Sequence, residues 1–222
     1  MLTFAIGDVH GCLDLLVDLL GQIEREAAGG PRRVVLLGDL IDRGPDSAGV
    51  IRLVRSRQAE DPDSLICLKG NHEDLLLRAA RTEATAALWL ANGGAETLAS
   101  FGAAGPEGIP ADVVAWIASC PTVYEDAWRC FVHAGLNPAV GRSEQTDADR
   151  LWIRDVFLRS DHDFGRYVVH GHTPVRSGSP DVRPTRVNID TGACFGGPLT
   201  AAVFREGAPS PAGFLQARAR LG

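Results

Sequence analysis

The chain has 222 residues, 45% of them hydrophobic and 23% charged, with a net charge of −6 at pH 7. That is enough for a sizeable core, and one domain over 1–222 is expected. No run of 18 apolar residues is present to cross a bilayer, and no dense basic cluster is present to release counterions from nucleic acid, so neither membrane nor nucleic acid is an expected partner.

Residues 2–6 (LTFAI) read as a buried strand, and 12–27 as a helix with Leu13, Leu16, Leu19, Leu20 and Ile23 on its apolar side. Gly29, Gly30 and Pro31 break that helix. A strand at 33–37, a helix over 46–57 and a strand at 64–68 follow, giving βαβαβ with a glycine-flanked segment after each strand. Residues 73–92 look helical, 92–110 read as loops with a short helix, and 111–118 as another short helix. Together 74–120 make a mostly helical insertion. Strands are expected at 121–124, 129–133, 166–170, 186–190 and 199–204, and two successive strands with a tight turn would match a second sheet. The last ten residues read as a tail or a fraying helix.

The segments that carry chemistry are GDVHG at 7–11, GDLIDRG at 38–44, GNHE at 70–73, HAG at 133–135 and HGHTP at 170–174. Five of the six histidines lie in them, which is hard to reconcile with scattered surface residues. Asp8 and His10 are two apart on a turning segment and can converge on one ion. Asp39, at the end of the adjacent strand, is the natural bridge, because a carboxylate has two oxygens. Asn71 offers an amide oxygen, and His133 and His172 bring imidazoles from the second half. This donor mix suits manganese, iron or zinc better than magnesium, and manganese is the expected ion. Two ions about 3.5–4 Å apart can activate a water and clamp phosphoryl oxygens. Gly7, Gly11, Gly38, Gly44 and Gly70 bracket the ligands and allow tight turns.

Arg43 and Arg154 are candidate phosphate ligands, since a guanidinium grips two oxygens at once. His72 follows Asn71 and is placed to protonate a leaving alkoxide, with Asp42 holding the imidazole charged. Glu73 reads as a helix N-terminal acid, His170 as a support for His172, and His162 as an exposed loop residue. Trp89 and Trp116 read as ordinary helix residues, and Trp128, Trp152, Phe157 and Phe195 as core or pocket wall. The five cysteines are widely spaced and odd in number, so a reduced cytoplasm is expected. Cys12 stands at a helix N-terminus, which can lower a thiol pKa; for Cys194 a buried thiol is the simpler expectation.

These motifs resemble those of the phosphoprotein phosphatase family within the calcineurin-like metallophosphoesterases, over roughly residues 3–194. The size and NIDTGACFGGPL are most similar to the small bacterial and phage serine/threonine phosphatases. The resemblance implies an α/β fold of four layers, a central β-sandwich flanked by helices. It also implies one metal on Asp8, His10 and Asp39, and a second on Asp39, Asn71, His133 and His172. Phosphate would lie on Arg43, Arg154 and Asn71, with His72 and Asp42 as the acid pair and in-line attack by a water between the metals. The substrate would be a phosphoprotein, a phosphopeptide or a small phosphoester, with no regulatory subunit evident. The symmetrical diadenosine tetraphosphate hydrolases resemble the same framework and share GDVHGC. They carry Ala where this chain has Asp42 and Asp where it has Glu73, which places the protein-phosphatase reading first and the dinucleotide hydrolase second.

Overall fold

The computed structural model describes residues 1–219. The first half runs β1 (Leu2–Ile6), α1 (Leu13–Ala27), β2 (Arg32–Leu36), α2 (Ser47–Glu60) and β3 (Leu65–Cys67), as the βαβαβ reading requires. Helices α3 (Asn71–Ala79), α4 (Glu83–Trp89), α5 (Ala95–Phe101) and α6 (Ala111–Ser119) form the insertion. Then come β4 (Val123–Glu125), β5 (Arg129–Val132), α7 (Asp147–Trp152), α8 (Asp155–Leu158), β6 (Tyr167–His170), β7 (Asp181–Val182), β8 (Arg186–Asn188), β9 (Leu199–Arg205) and β10 (Gly213–Ala217).

Two mixed five-stranded sheets result, in the orders β10-β9-β1-β2-β3 and β4-β5-β6-β8-β7. The period-2 alternation of the strands sorts their side chains into separate layers. Phe4, Ile6, Val34, Leu36, Leu199, Ala201 and Val203 face the core shared with α1, α2 and α3. Their neighbours Ala5, Val35, Leu37, Ala202 and Phe204 meet Phe131, Val169, Val187 and Ile189 between the sheets. On the outer face of the second sheet, Cys130, Val132 and Val168 pack with Phe157 and Phe164. Each fully buried Leu, Ile, Val or Phe contributes about 1.5–3 kcal/mol. The architecture is the expected sandwich of two sheets between helices, with a helical insertion.

Two expectations need correction. The helix over 73–92 is interrupted: the Thr82 hydroxyl accepts the Thr85 N–H at 3.2 Å and starts α4 as a new helix. After α4, Leu90–Gly94 form a π-turn that kinks at Gly93, φ 103°. The C-terminal segment is no tail or helix at 213–217, because β10 pairs antiparallel with β9 as an edge strand; residues 220–222 lie outside the described residues. Among the described residues no helix is long and apolar enough to cross a membrane.

The parallel pairing of β1, β2 and β3, and of β5 and β6, points their C-terminal ends to one rim. Gly7, Gly38, Gly70, His133 and Gly171 begin the loops there. The loops are tied to one another by backbone hydrogen bonds, from His10 N to Asp39 O at 2.8 Å and from Gly171 N to His133 O at 2.8 Å.

Candidate metal centre

The rim loops bring Asp8, His10, Asp39, Asp42, Asn71, His72, His133 and His172 together, each at most 4% exposed. Among the described residues, five of the six non-glycine positions with positive φ lie here: His10, Asp39, Asp42, Arg43 and His172. That conformation costs free energy for any residue with a Cβ, and it persists where surrounding structure fixes it to aim side chains inward.

Two groups of donor atoms share Asp39: His10, Asp39 and His72 in one, Asp39, His133 and His172 in the other. Asp39 presents a different oxygen to each. Its Oδ2 lies 3.4 Å from His10 Nε2 and 3.9 Å from His72 Nε2, while its Oδ1 lies 3.5 Å from His133 Nε2. Asn71 Oδ1 sits 2.8 Å from His133 Nε2 and 2.7 Å from His172 Nδ1. A Cβ at Gly70 would collide with Asp39 Oδ1, so only glycine lets this carboxylate stand between the two groups.

The imidazoles are set as ligands. His10 Nδ1 donates to Ile41 O at 2.8 Å and His133 Nδ1 to Leu37 O at 3.0 Å, which leaves each Nε2 lone pair facing the cluster. Burial holds His10, His133 and His172 below the ordinary imidazole pKa, the neutral form a metal requires. Burial also raises the Asp8 carboxyl, followed by repulsion from Asp190 and Asp39. Burial likewise lifts Asp190 to about 6. Crowded buried carboxylates beside neutral imidazoles form a donor set that divalent cations fit. Asp8 reaches this centre, with its carboxylate accepting the His172 N–H at 3.1 Å; the donor atoms nearest His10 come from Asp39 and His72.

His72 faces two ways. Its Nδ1 donates to Asp42 Oδ2 at 2.7 Å, and its Nε2 is on the Asp39 side. Burial opposes the charged imidazole, but Asp39 and the Asp42 hydrogen bond outweigh it and raise the His72 pKa. Arg43 Nη1 lies 2.7 Å from His10 Nε2, and its backbone N–H donates to Gly93 O at 3.1 Å. Arg154 is exposed at the start of α8, close enough that its charge adds to the burial that lowers His172 and partly offsets the burial that raises Asp190.

Several contributors escape the sequence reading. Trp89 and Thr97, from the insertion, both donate to the Asp42 carboxylate. Glu73 is the expected acid at a helix N-terminus, but it is 1% exposed and does more than cap: it accepts the backbone N–H groups of Asp39, Leu40 and Gly70, each at 2.8 Å. Asp190, inside NIDTG, accepts the Gly192 N–H at 3.1 Å beside Asp8. His170 is buried against Phe157, ring centroids 4.9 Å apart, and His162 is exposed on its loop. Burial pushes the Cys12 thiol up, so its place before a helix N-terminus does not activate it, and Cys194 up to about 12. Phe195 and Trp152, expected as core or wall, are 66% and 36% exposed.

Two histidine and aspartate clusters joined through one carboxylate form the active-site architecture of a metallophosphatase, a dinuclear site for metal-dependent hydrolysis. Serine/threonine-protein phosphatase 1 of Salmonella typhimurium is 34% identical over 214 residues, covering 90% of each chain. The asymmetrical bis(5'-nucleosyl)-tetraphosphatase PrpE of Halalkalibacterium halodurans is 31% identical over 231 residues, covering 90% of this chain and 89% of its own. A crystal structure provisionally named a diadenosine tetraphosphatase superposes with a TM-score of 0.72 at 24% identity, over 100% of this chain and 95% of that one, and so shares the fold. Residues 1–197 match the calcineurin-like phosphoesterase family, and the chain belongs to that family.

Proposed function

We propose that this metal-dependent hydrolase acts on nucleoside polyphosphates, a dinucleoside tetraphosphate being the model substrate. The sequence reading places a serine/threonine phosphatase first; similarity to dinucleoside tetraphosphatases over about nine-tenths of both chains supports the alternative better.

When bound, two divalent ions supply an activated water and a clamp for phosphoryl oxygens. Asp39 would be shared by the two ions, with Asp8 and His10 holding one and Asn71, His133 and His172 the other. Manganese is the ion we assign, with iron and zinc compatible with the same donors. Arg43 and Arg154 stand beside opposite clusters, where each can grip the oxygens of a different part of a phosphate chain. His72 carries its proton on Nε2, toward the leaving oxygen, with Asp42 fixing the ring.

The His72–Asp42 pair favours a second reading. A leaving phosphate is a stable anion and has little need of a proton, whereas a serine or threonine alkoxide needs one. The contact at 2.7 Å is thus the observation that supports a protein phosphatase.

Steady-state hydrolysis by manganese-loaded protein separates the two. A larger kcat/KM for diadenosine tetraphosphate than for a phosphothreonine peptide supports the first reading, and the reverse overturns it. The products distinguish symmetrical cleavage to two ADP from asymmetrical cleavage to AMP and ATP.

A further inference from the structure

Phe195 ends the short 3-10 turn Ala193–Phe195, bracketed by Gly192 at φ 74° and Gly196 at φ 86°. The Gly197 N–H closes the turn onto Gly192 O at 3.0 Å, and a Cβ at Gly197 would collide with Thr191 O. The ring is therefore held on a tight backbone, yet the residue is 66% exposed. One contact explains its position: the Arg43 guanidinium carbon lies 5.4 Å from the ring centroid, within cation–π range. The same guanidinium touches His10 Nε2 at 2.7 Å. A single exposed Phe needs no explanation, but this one is separated from a metal-ligand histidine by one side chain. A second exposed aromatic stands at the other cluster. The Trp152 ring lies 6.4 Å from that of His172, nearly perpendicular at 80°, and its Nε1–H donates to Asp74 Oδ2 at 3.4 Å.

Exposed, rigidly held rings beside a cationic phosphate grip are what a nucleobase stacks on. Every base has a π-face, and stacking needs no hydrogen-bond code. We infer that Phe195 is the platform for one base of a nucleoside polyphosphate whose phosphates lie on Arg43. Trp152 offers a second ring beside the opposite cluster. Specificity for a base-bearing substrate then comes from the loop after β8 and from α7, not from the helical insertion. This inference rests on the nucleotide reading above.

The test compares the intact protein with Phe195→Ala and Phe195→Tyr, all loaded with manganese. Diadenosine tetraphosphate and inorganic tripolyphosphate, a phosphoanhydride without a base, are the substrates. The readout is the ratio of the two kcat/KM values, which cancels any loss of folded protein. The ratio falls about five-fold in Phe195→Ala, the low end of base–aromatic stacking, and recovers in Phe195→Tyr. A ratio unchanged in Phe195→Ala overturns the platform while the nucleotide reading stands. A wild-type protein that prefers the phosphothreonine peptide to the dinucleotide removes both.

Discussion

The indole N–H of Trp89 donates to both oxygens of Asp42, at 3.1 and 3.0 Å, and Asp42 in turn holds His72 Nδ1 at 2.7 Å. The insertion thus reaches the Asp42–His72 pair from 47 residues away. Thr97 adds a hydroxyl donor at 2.6 Å, which leaves the buried carboxylate well satisfied and fixed in direction.

Asp42→Asn removes the charge that favours the protonated imidazole. A positioned general acid contributes about 10²–10⁴-fold, and losing its partner costs about 100-fold in kcat on a phosphothreonine peptide. p-Nitrophenyl phosphate leaves as a stabilised phenolate and loses far less. Trp89→Phe shifts both rates in the same direction by a smaller factor. Equal losses on the two substrates would remove His72 from the proton-donor role.

Glu73 is a structural clamp. Oε2 takes the N–H groups of Asp39 and Gly70, and Oε1 that of Leu40, joining the second and third motif loops. Burial, followed by repulsion from Asp39, lifts its pKa to about 7 despite these donors. Glutamine has one acceptor oxygen, so Glu73→Gln turns an NH2 group onto backbone N–H groups. The expected loss is about 3 kcal/mol in urea unfolding at pH 8, where the native carboxylate is ionised. An unchanged midpoint would mean the loops hold themselves.

The loops at the ends of β1, β2 and β3 were legible because hydrophobic strands stop at a glycine next to ligand-type residues. That pattern is local, and so it survives in the sequence. What Trp89, Thr97 and Glu73 do is not local: a tryptophan in a helical stretch looks like core until the fold brings it to Asp42. Asp190 lacks a histidine or a ligand-spaced neighbour to mark it. β10 was missed for a related reason, since GFLQA has no β-branched run and is a strand only through pairing with β9. The exposure of Phe195 likewise depends on where its turn lands.

Asp39→Asn tests the shared carboxylate. An amide offers one oxygen and one NH2 group, so only one side of the bridge survives. Metal content measured by plasma mass spectrometry should fall from two ions to about one per chain, with hydrolysis falling alongside it. Retention of two ions would mean that the clusters are held independently, by His10 and Asp8 on one side and by Asn71, His133 and His172 on the other.

His170 supplies a pH signature separate from the ligands. It is fully buried, and burial lowers its pKa to about 3 from an ordinary 6.5. Between those values the unfolded chain binds a proton that the folded chain refuses, so stability falls as pH drops through this window, by about 1.4 kcal/mol per unit. From pH 7 to 5 this one residue accounts for about 2 kcal/mol. His10, His133 and His172 have lowered pKa values and add to this loss, whereas the raised Asp8, His72, Glu73 and Asp190 oppose it, so the comparison with a His170 variant isolates the one residue. His170→Gln removes one share of the loss. Urea unfolding of the metal-free proteins at pH 7 and pH 5 should show the wild type losing about 2 kcal/mol more than the variant. Parallel losses would mean that His170 takes up its proton inside the fold, where its Nε2 has no partner among the described residues.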